Sequence, residues 1–122
     1  VARETAREGL IMSMRGTRAY IAPEVYGGKN YDKTVDYYSL GILLYKLLNR
    51  GRYPFLPPAP ERFTADDTET AFLRRINGEK FPPPVDGDEA LKDAVMMACE
   101  FDPSERFENA AAMRNALMYH GE

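Results

Sequence analysis

A mainly α-helical fold is predicted by three features of the sequence. Thr34 to Asn49 carries apolar residues nearly all round a helix, Leu91, Ala94, Val95 and Ala98 recur at i, i+3, i+4 and i+7, and no stretch alternates convincingly with the period of a strand. Residues 1–15, VARETAREGLIMSMR, are charged and then briefly apolar, and read as a loop. GTRAYIAPEVY, residues 16–26, has neither helix nor strand period, and Pro23 ends its extended run. In Thr34 to Asn49 the apolar residues Val35, Tyr37, Tyr38, Leu40, Ile42, Leu43, Leu44, Leu47 and Leu48 leave little polar face. A helix of that kind belongs in the middle of a fold, and Gly51 is its stop. Pro54, Pro57, Pro58 and Pro60 then enforce an extended loop. Asp66 with Glu69 resembles a capping box, opening a helix to about Asn77 that Gly78 stops. After a loop at Pro82 to Pro84, an amphipathic helix is expected from about Asp88 to Phe101. Asn109 can cap a last helix through Met118, with Ala112, Met113, Ala116 and Leu117 turned inward. The expectation is four helices or so, joined by long loops.

At 122 residues the chain is one domain or part of one, with room for a single modest core. Hydrophobic residues at 44% and charged residues at 29% are ordinary globular composition. Net charge is −3, and no basic cluster interleaves with aromatics, which argues against nucleic acid as a partner. The longest mainly apolar run, Leu40 to Leu48, is too short to span a bilayer and contains Lys46, so no membrane segment is expected. The one cysteine, Cys99, permits no internal disulfide and suits a reducing cytosol, so a cytoplasmic location is expected. Cys99 and His120 read as a core thiol and a chain-end histidine, too few for a metal site. The chain begins at Val1, and Val1 to Glu8 has no apolar stretch, so it is not a signal peptide. Either the start was processed or the chain is a piece of something longer. Composition and period alone support a small helical bundle with no chemistry.

The unusual residues form an ordered series: GTRAYIAPE from Gly16, DYYSLGILLYKLL from Asp36, YPF from Tyr53 and FDPSERF from Phe101. Taken together they resemble the carboxyl-terminal, large-lobe part of a protein kinase domain. The texture of Val35 to Asn49 and of Asp102 to Leu117 is most similar to bacterial serine/threonine kinases. The resemblance implies a helical lobe fragment over residues 1–122, with the activation segment at 1–24 and the helical part at 25–122. Ala22-Pro23-Glu24 would close the activation segment, and Asp36 would open a D-x-W-S-x-G pattern in which Tyr38 stands where tryptophan is usual. Gly16, Thr17, Arg18 and Tyr20 would face the peptide substrate and the catalytic loop. Gly-Thr-x-x-Tyr is the form of serine/threonine-directed kinases, although Arg18 stands where a small residue or proline is common.

Structural anchors are also implied. Residues matching Glu24 and Arg106 form a buried ion pair in this family, a role that suits arginine's planar fork. Without the resemblance they read as two exposed charges. Asp36 would hold the catalytic loop through backbone N–H bonds; by itself it reads as a charge favoured by the helix dipole. Gly41 inside an apolar helix normally costs about 1 kcal/mol against alanine, which hints at close packing. Thr5 and Ser13 are candidate phosphorylation sites, with Arg3, Arg7 or Arg15 as partners for a phosphate, and solvated hydroxyls are the equal alternative.

A working kinase also needs a glycine-rich loop, a strand lysine, a catalytic Asp with its Asn, and a metal-binding Asp-Phe-Gly. None is in this sequence; Val1-Ala2-Arg3 resembles residues that directly follow Asp-Phe-Gly. The parent is therefore expected to be a serine/threonine kinase using ATP and magnesium. The fragment itself would bind no cofactor, have no catalytic residue and be inactive alone. Its expected partners are a protein or peptide substrate and the N-terminal part of the kinase domain. Self-association or domain swapping through the uncovered apolar helix is expected too. The alternatives are a pseudokinase or non-catalytic interaction module, and an unrelated helical bundle.

Overall fold

The computed structural model describes residues 18–118 and contains, among them, five α-helices and no strand. The loop expected over residues 1–15, and Thr5, Ser13, Gly16, Thr17 and His120, lie outside the described residues. A 3-10 turn at Arg18–Tyr20 leads into α1 (Pro23–Tyr26). Then follow α2 (Thr34–Leu48), α3 (Ala65–Ile76), α4 (Glu89–Ala98), a second 3-10 turn (Pro103–Glu105) and α5 (Ala110–Met118). α1 is a single turn the sequence pattern does not announce: Pro23 sits at its start, where the missing N–H costs nothing.

Local chemistry sets most helix ends. The Asp32 carboxylate accepts from the backbone N–H of Thr34 at 3.0 Å and from its hydroxyl at 2.7 Å, opening α2. Gly51, at φ +85°, closes it by donating to the Lys46 carbonyl at 2.9 Å, a conformation that suits glycine. The capping box of α3 is Thr64 with Asp67, not Asp66 with Glu69: the Thr64 hydroxyl accepts from Asp67 N–H at 3.1 Å, and Asp67 accepts from Thr64 N–H at 2.8 Å. Thr64 has the extended backbone a cap requires, and the Glu69 carboxylate is engaged by Arg18 instead. Asp88 caps α4 by accepting from Leu91 N–H at 2.8 Å, and Asn109 caps α5 by accepting from Ala112 N–H at 2.8 Å.

α4 stops at Ala98, three residues before the expected end at Phe101. The reason is non-local: the carbonyls of Glu100 and Phe101 turn out of helical register to accept from Arg106 at 2.7 and 3.1 Å.

The core forms where α2 crosses α4 and α4 meets α5. Tyr38, Ile42, Tyr45, Val35 and Val95 are fully buried, each aliphatic or aromatic body contributing about 1.5–3 kcal/mol. Ala94, Ala98, Phe107 and Met113 join α4 to α5. Gly41 lets the two helices meet: a Cβ there would lie 2.7 Å from Cys99 Sγ and 2.8 Å from Ala98 Cβ. α2 is nevertheless not covered all round, since Leu40 is 38% and Leu47 67% exposed. Positions 40 and 47 are seven apart and share one helical face, so the apolar surplus of α2 is one uncovered stripe.

Candidate functional site

Glu24, on α1, and Arg106, after the second 3-10 turn, meet across 82 residues of sequence in a bidentate pair of 2.6 and 2.9 Å. Both are buried, at 8% and 3% exposure. Arg106 also donates to the carbonyls of Thr34, Glu100 and Phe101, so all five of its N–H donors are matched. The turn before it is held by Asp102, whose carboxylate accepts from Ser104 N–H at 3.0 Å and from Ser104 Oγ at 2.8 Å. Those bonds keep the Asp102 carboxyl below its usual range.

Two further anchors hold the same segment, and the motif reading gave neither of them a role. Arg75 of α3 is 4% exposed and donates to the carbonyls of Ile21 at 2.6 Å and Arg18 at 3.0 Å. It also donates to Tyr38 Oη at 3.0 Å. Ser39 Oγ donates to the Tyr20 carbonyl at 2.8 Å. The signal for Arg75 was its phase, because it falls on the apolar stripe of Ala71 and Phe72. Tyr38 thus uses its polar tip, and its ring lies 4.8 Å from the Arg106 guanidinium carbon and 5.5 Å from that of Arg75. Burial pushes the Tyr38 phenol up to about 12 despite both cations.

Residues 18–24 are therefore held from three sides, by α2, α3 and the turn before α5. What they present outward is a cation–aromatic surface. Arg18 is exposed, pairs with Glu69 and stacks on Phe72 at 3.9 Å. Tyr20 packs edge-on against Tyr53 with centroids 5.8 Å apart, and their hydroxyls are 3.3 Å apart. Lys46 Nζ donates to Tyr53 Oη at 3.3 Å and lies 4.7 Å over the ring. The hydrogen bond with Tyr53, and then burial, push the Tyr20 phenol up to about 12, so it stays protonated at neutral pH. Ala19, Tyr53, Pro54, Leu56 and Phe72 edge a narrow groove of about 60 Å³ beside this cluster.

Of the other candidate residues, Pro23 is buried at the start of α1, and Asp36 lies half-buried in the first turn of α2. Gly41 faces α4, away from the groove. A larger cleft of about 720 Å³ between the end of α3 and α4 shares only Arg75 with the groove, and its walls carry both signs, Lys80 and Lys92 with Glu79 and Glu89. Burial pushes the Cys99 thiol up to about 12, which makes it no nucleophile at neutral pH. Among the described residues no group of three or more His, Cys, Asp or Glu could hold a metal ion. No helix among them is long and apolar enough to cross a membrane.

Compared with known proteins, residues 1–118 match the family described as protein kinase domain. The chain is 33% identical over 121 residues to ribosomal protein S6 kinase alpha-3 of Homo sapiens, covering 94% of this chain and 15% of that protein. It is 33% identical over 101 residues to the CaM kinase-like vesicle-associated protein of Takifugu rubripes, covering 80% of this chain and 24% of the relative. Against the cGMP-dependent protein kinase, isozyme 1, of Drosophila melanogaster it is 36% identical over 91 residues, covering 75% of this chain and 11% of the relative.

Proposed function

The chain belongs to the protein kinase domain family, and from that we propose that it is the helical, peptide-facing part of a serine/threonine kinase of the bacterial type, acting in the cytoplasm. The whole protein transfers the γ-phosphoryl group of ATP to a serine or threonine hydroxyl of a protein, releasing ADP. In this reading Gly16, Thr17, Arg18 and Tyr20 meet the peptide, and Asp36 braces the catalytic loop. Thr5 and Ser13 take regulatory phosphate. The observation that carries the reading is the buried Glu24–Arg106 pair, because it holds the end of a peptide-facing segment against a helical base 82 residues away. The serine/threonine assignment is supported by Gly16-Thr17 and Tyr20, and the bacterial type by the strings at 35–49 and 102–117.

The residues described here do not fit ATP or magnesium. No group of three or more His, Cys, Asp or Glu among them could hold a metal ion, and Gly27 and Gly28 form the loop tip after α1 rather than a phosphate cradle. No step of phosphoryl transfer is therefore assigned to this chain, and residues 1–122 alone should be inactive. The uncovered Leu40–Leu47 stripe is the face through which the isolated chain should self-associate; a monomer by light scattering at high concentration would count against this.

The test is transfer from labelled ATP by the full-length protein with magnesium, offered serine, threonine and tyrosine peptides. Label on serine or threonine and none on tyrosine is expected. No transfer at all, or transfer to tyrosine alone, would sink the proposal. Nucleotide binding without transfer would favour a pseudokinase.

A further inference from the structure

We propose that Lys46, Tyr53 and Tyr20 form a receptor for an anionic side chain of the substrate peptide, a carboxylate or a phosphorylated residue. This rests on the kinase reading above and adds the class of peptide that the surface selects.

Hydrogen-bond arithmetic supplies the first argument. The Lys46 ammonium can only donate, and it donates to Tyr53 Oη. One hydrogen bond joins the two phenols, yet between them they carry two O–H hydrogens. Whichever phenol donates to the other, one O–H is left over, together with the remaining N–H bonds of the ammonium. The hydrogen bond with Tyr53 and then burial hold the proton on Tyr20 at neutral pH. A cluster with surplus donors and a fixed positive charge is complementary to an acceptor that carries negative charge.

Charge neutralisation supplies the second. Ion pairs among the described residues join Arg18 to Glu69, Arg50 to Asp86, Arg74 to Glu79 and Arg106 to Glu24. Lys46 is in none of them. Arg52, the residue before Tyr53, is likewise matched by neutral groups: it donates to the carbonyls of Pro57 at 3.2 Å and Glu61 at 2.6 Å and lies over Phe63. So Lys46 in the last turn of α2 and Arg52 in the loop after it are two cations that pair with no carboxylate among the described residues, in a chain whose net charge is −3. Lys46 is half-buried, which weakens screening by salt and strengthens both attraction of an anion and rejection of an arginine. Tyr20 lies on the segment that Ser39 and Arg75 hold in place, and Lys46 lies on α2, so two of the three groups stand on anchored backbone.

The experiment uses the full-length protein and a peptide set in which Asp, Glu, phosphoserine, Ala and Arg are scanned at each position flanking the target hydroxyl. The expected result is a preference for the anionic residues at one position, about tenfold in kcat/KM and carried by KM, as suits one charged hydrogen bond. Lys46→Met should abolish that preference, Lys46→Glu should turn it toward Arg, and Lys46→Arg should keep it. Equal use of Asp, Glu and phosphoserine identifies charge as the feature read, and preference for phosphoserine alone identifies a phosphate. Transfer with no such preference, or a preference that Lys46→Met leaves intact, overturns the receptor while the kinase reading stands. Absence of transfer to every peptide instead removes the kinase reading. Fluorescence anisotropy then decides the receptor: the acidic peptide must bind the wild type more tightly than it binds Lys46→Met, and equal binding overturns the proposal.

Discussion

A guanidinium held at 3% exposure is tolerable only because each of its donors meets an acceptor, and Arg106 achieves this with one carboxylate and three carbonyls. Arg106→Ala would strand the Glu24 carboxylate, and a loss of about 3–5 kcal/mol is expected in urea denaturation. Arg106→Lys should recover little of it, because an ammonium cannot reproduce the two-point fork. An unchanged urea midpoint for either variant would mean the pair is not buried in solution. Gly41 poses the opposite problem, of space. Gly41→Ala gains about 1 kcal/mol of helix propensity. It also drives a methyl to 2.7 Å from Cys99 Sγ, so a net loss of about 1–3 kcal/mol is expected. Adding Cys99→Ala and Ala98→Gly to that variant should restore part of the loss. If the triple variant is no more stable than Gly41→Ala alone, the contact is not the cause.

Helix ends show how closely matched local alternatives are resolved. Asp66–Glu69 and Thr64–Asp67 both offer a side chain three residues from a partner, and only the second pair caps α3. Thr64→Ala should therefore cost about 0.5–2 kcal/mol. Glu69→Ala, which removes an ion pair whose two side chains are about half exposed, should cost no more than about 1 kcal/mol. Thermal melts of the two variants make the comparison, and equal losses would reject the assignment. The cap at Asn109 and the helix start at Asp88 lie where the sequence places them, because each cap needs only its own side chain and an N–H three residues on. The end of α4 could not be read in that way, since Arg106 binds the carbonyls of Glu100 and Phe101, where a longer helix would have continued.

Across the whole molecule, burial keeps several acidic hydrogens in place. Tyr38 and Tyr45 are raised from 10.0 to about 12 by burial, and Cys99 from 9.0 to about 12 for the same reason. These groups lose their protons in the unfolded chain first. Above about pH 8, where an unfolded cysteine begins to ionise, the unfolded chain therefore binds fewer protons than the folded one, and stability falls with rising pH toward 12; well below pH 8 these groups add no slope. Urea midpoints at pH 7.5 and 10.5 should differ, the alkaline one lower, and equal midpoints would show that these side chains are not buried in solution. At this scale the division between sequence and structure is clear. Apolar period together with cap and stop residues announced four of the five helices, because both are local properties of the sequence. The ordered strings were enough to name the family and to single out Tyr20, Glu24 and Arg106. Arg75 was not marked, and Ser39, Lys46 and Tyr53 stood inside the quoted strings with no role of their own, because what distinguishes them is the carbonyl or phenol each one reaches across the fold. By itself the sequence determined where the four longer helices form and which family they serve. Only the tertiary structure decided which charges are buried against which partners, because a hydrogen bond between residues 18 and 75, or 24 and 106, exists only once the intervening chain has packed.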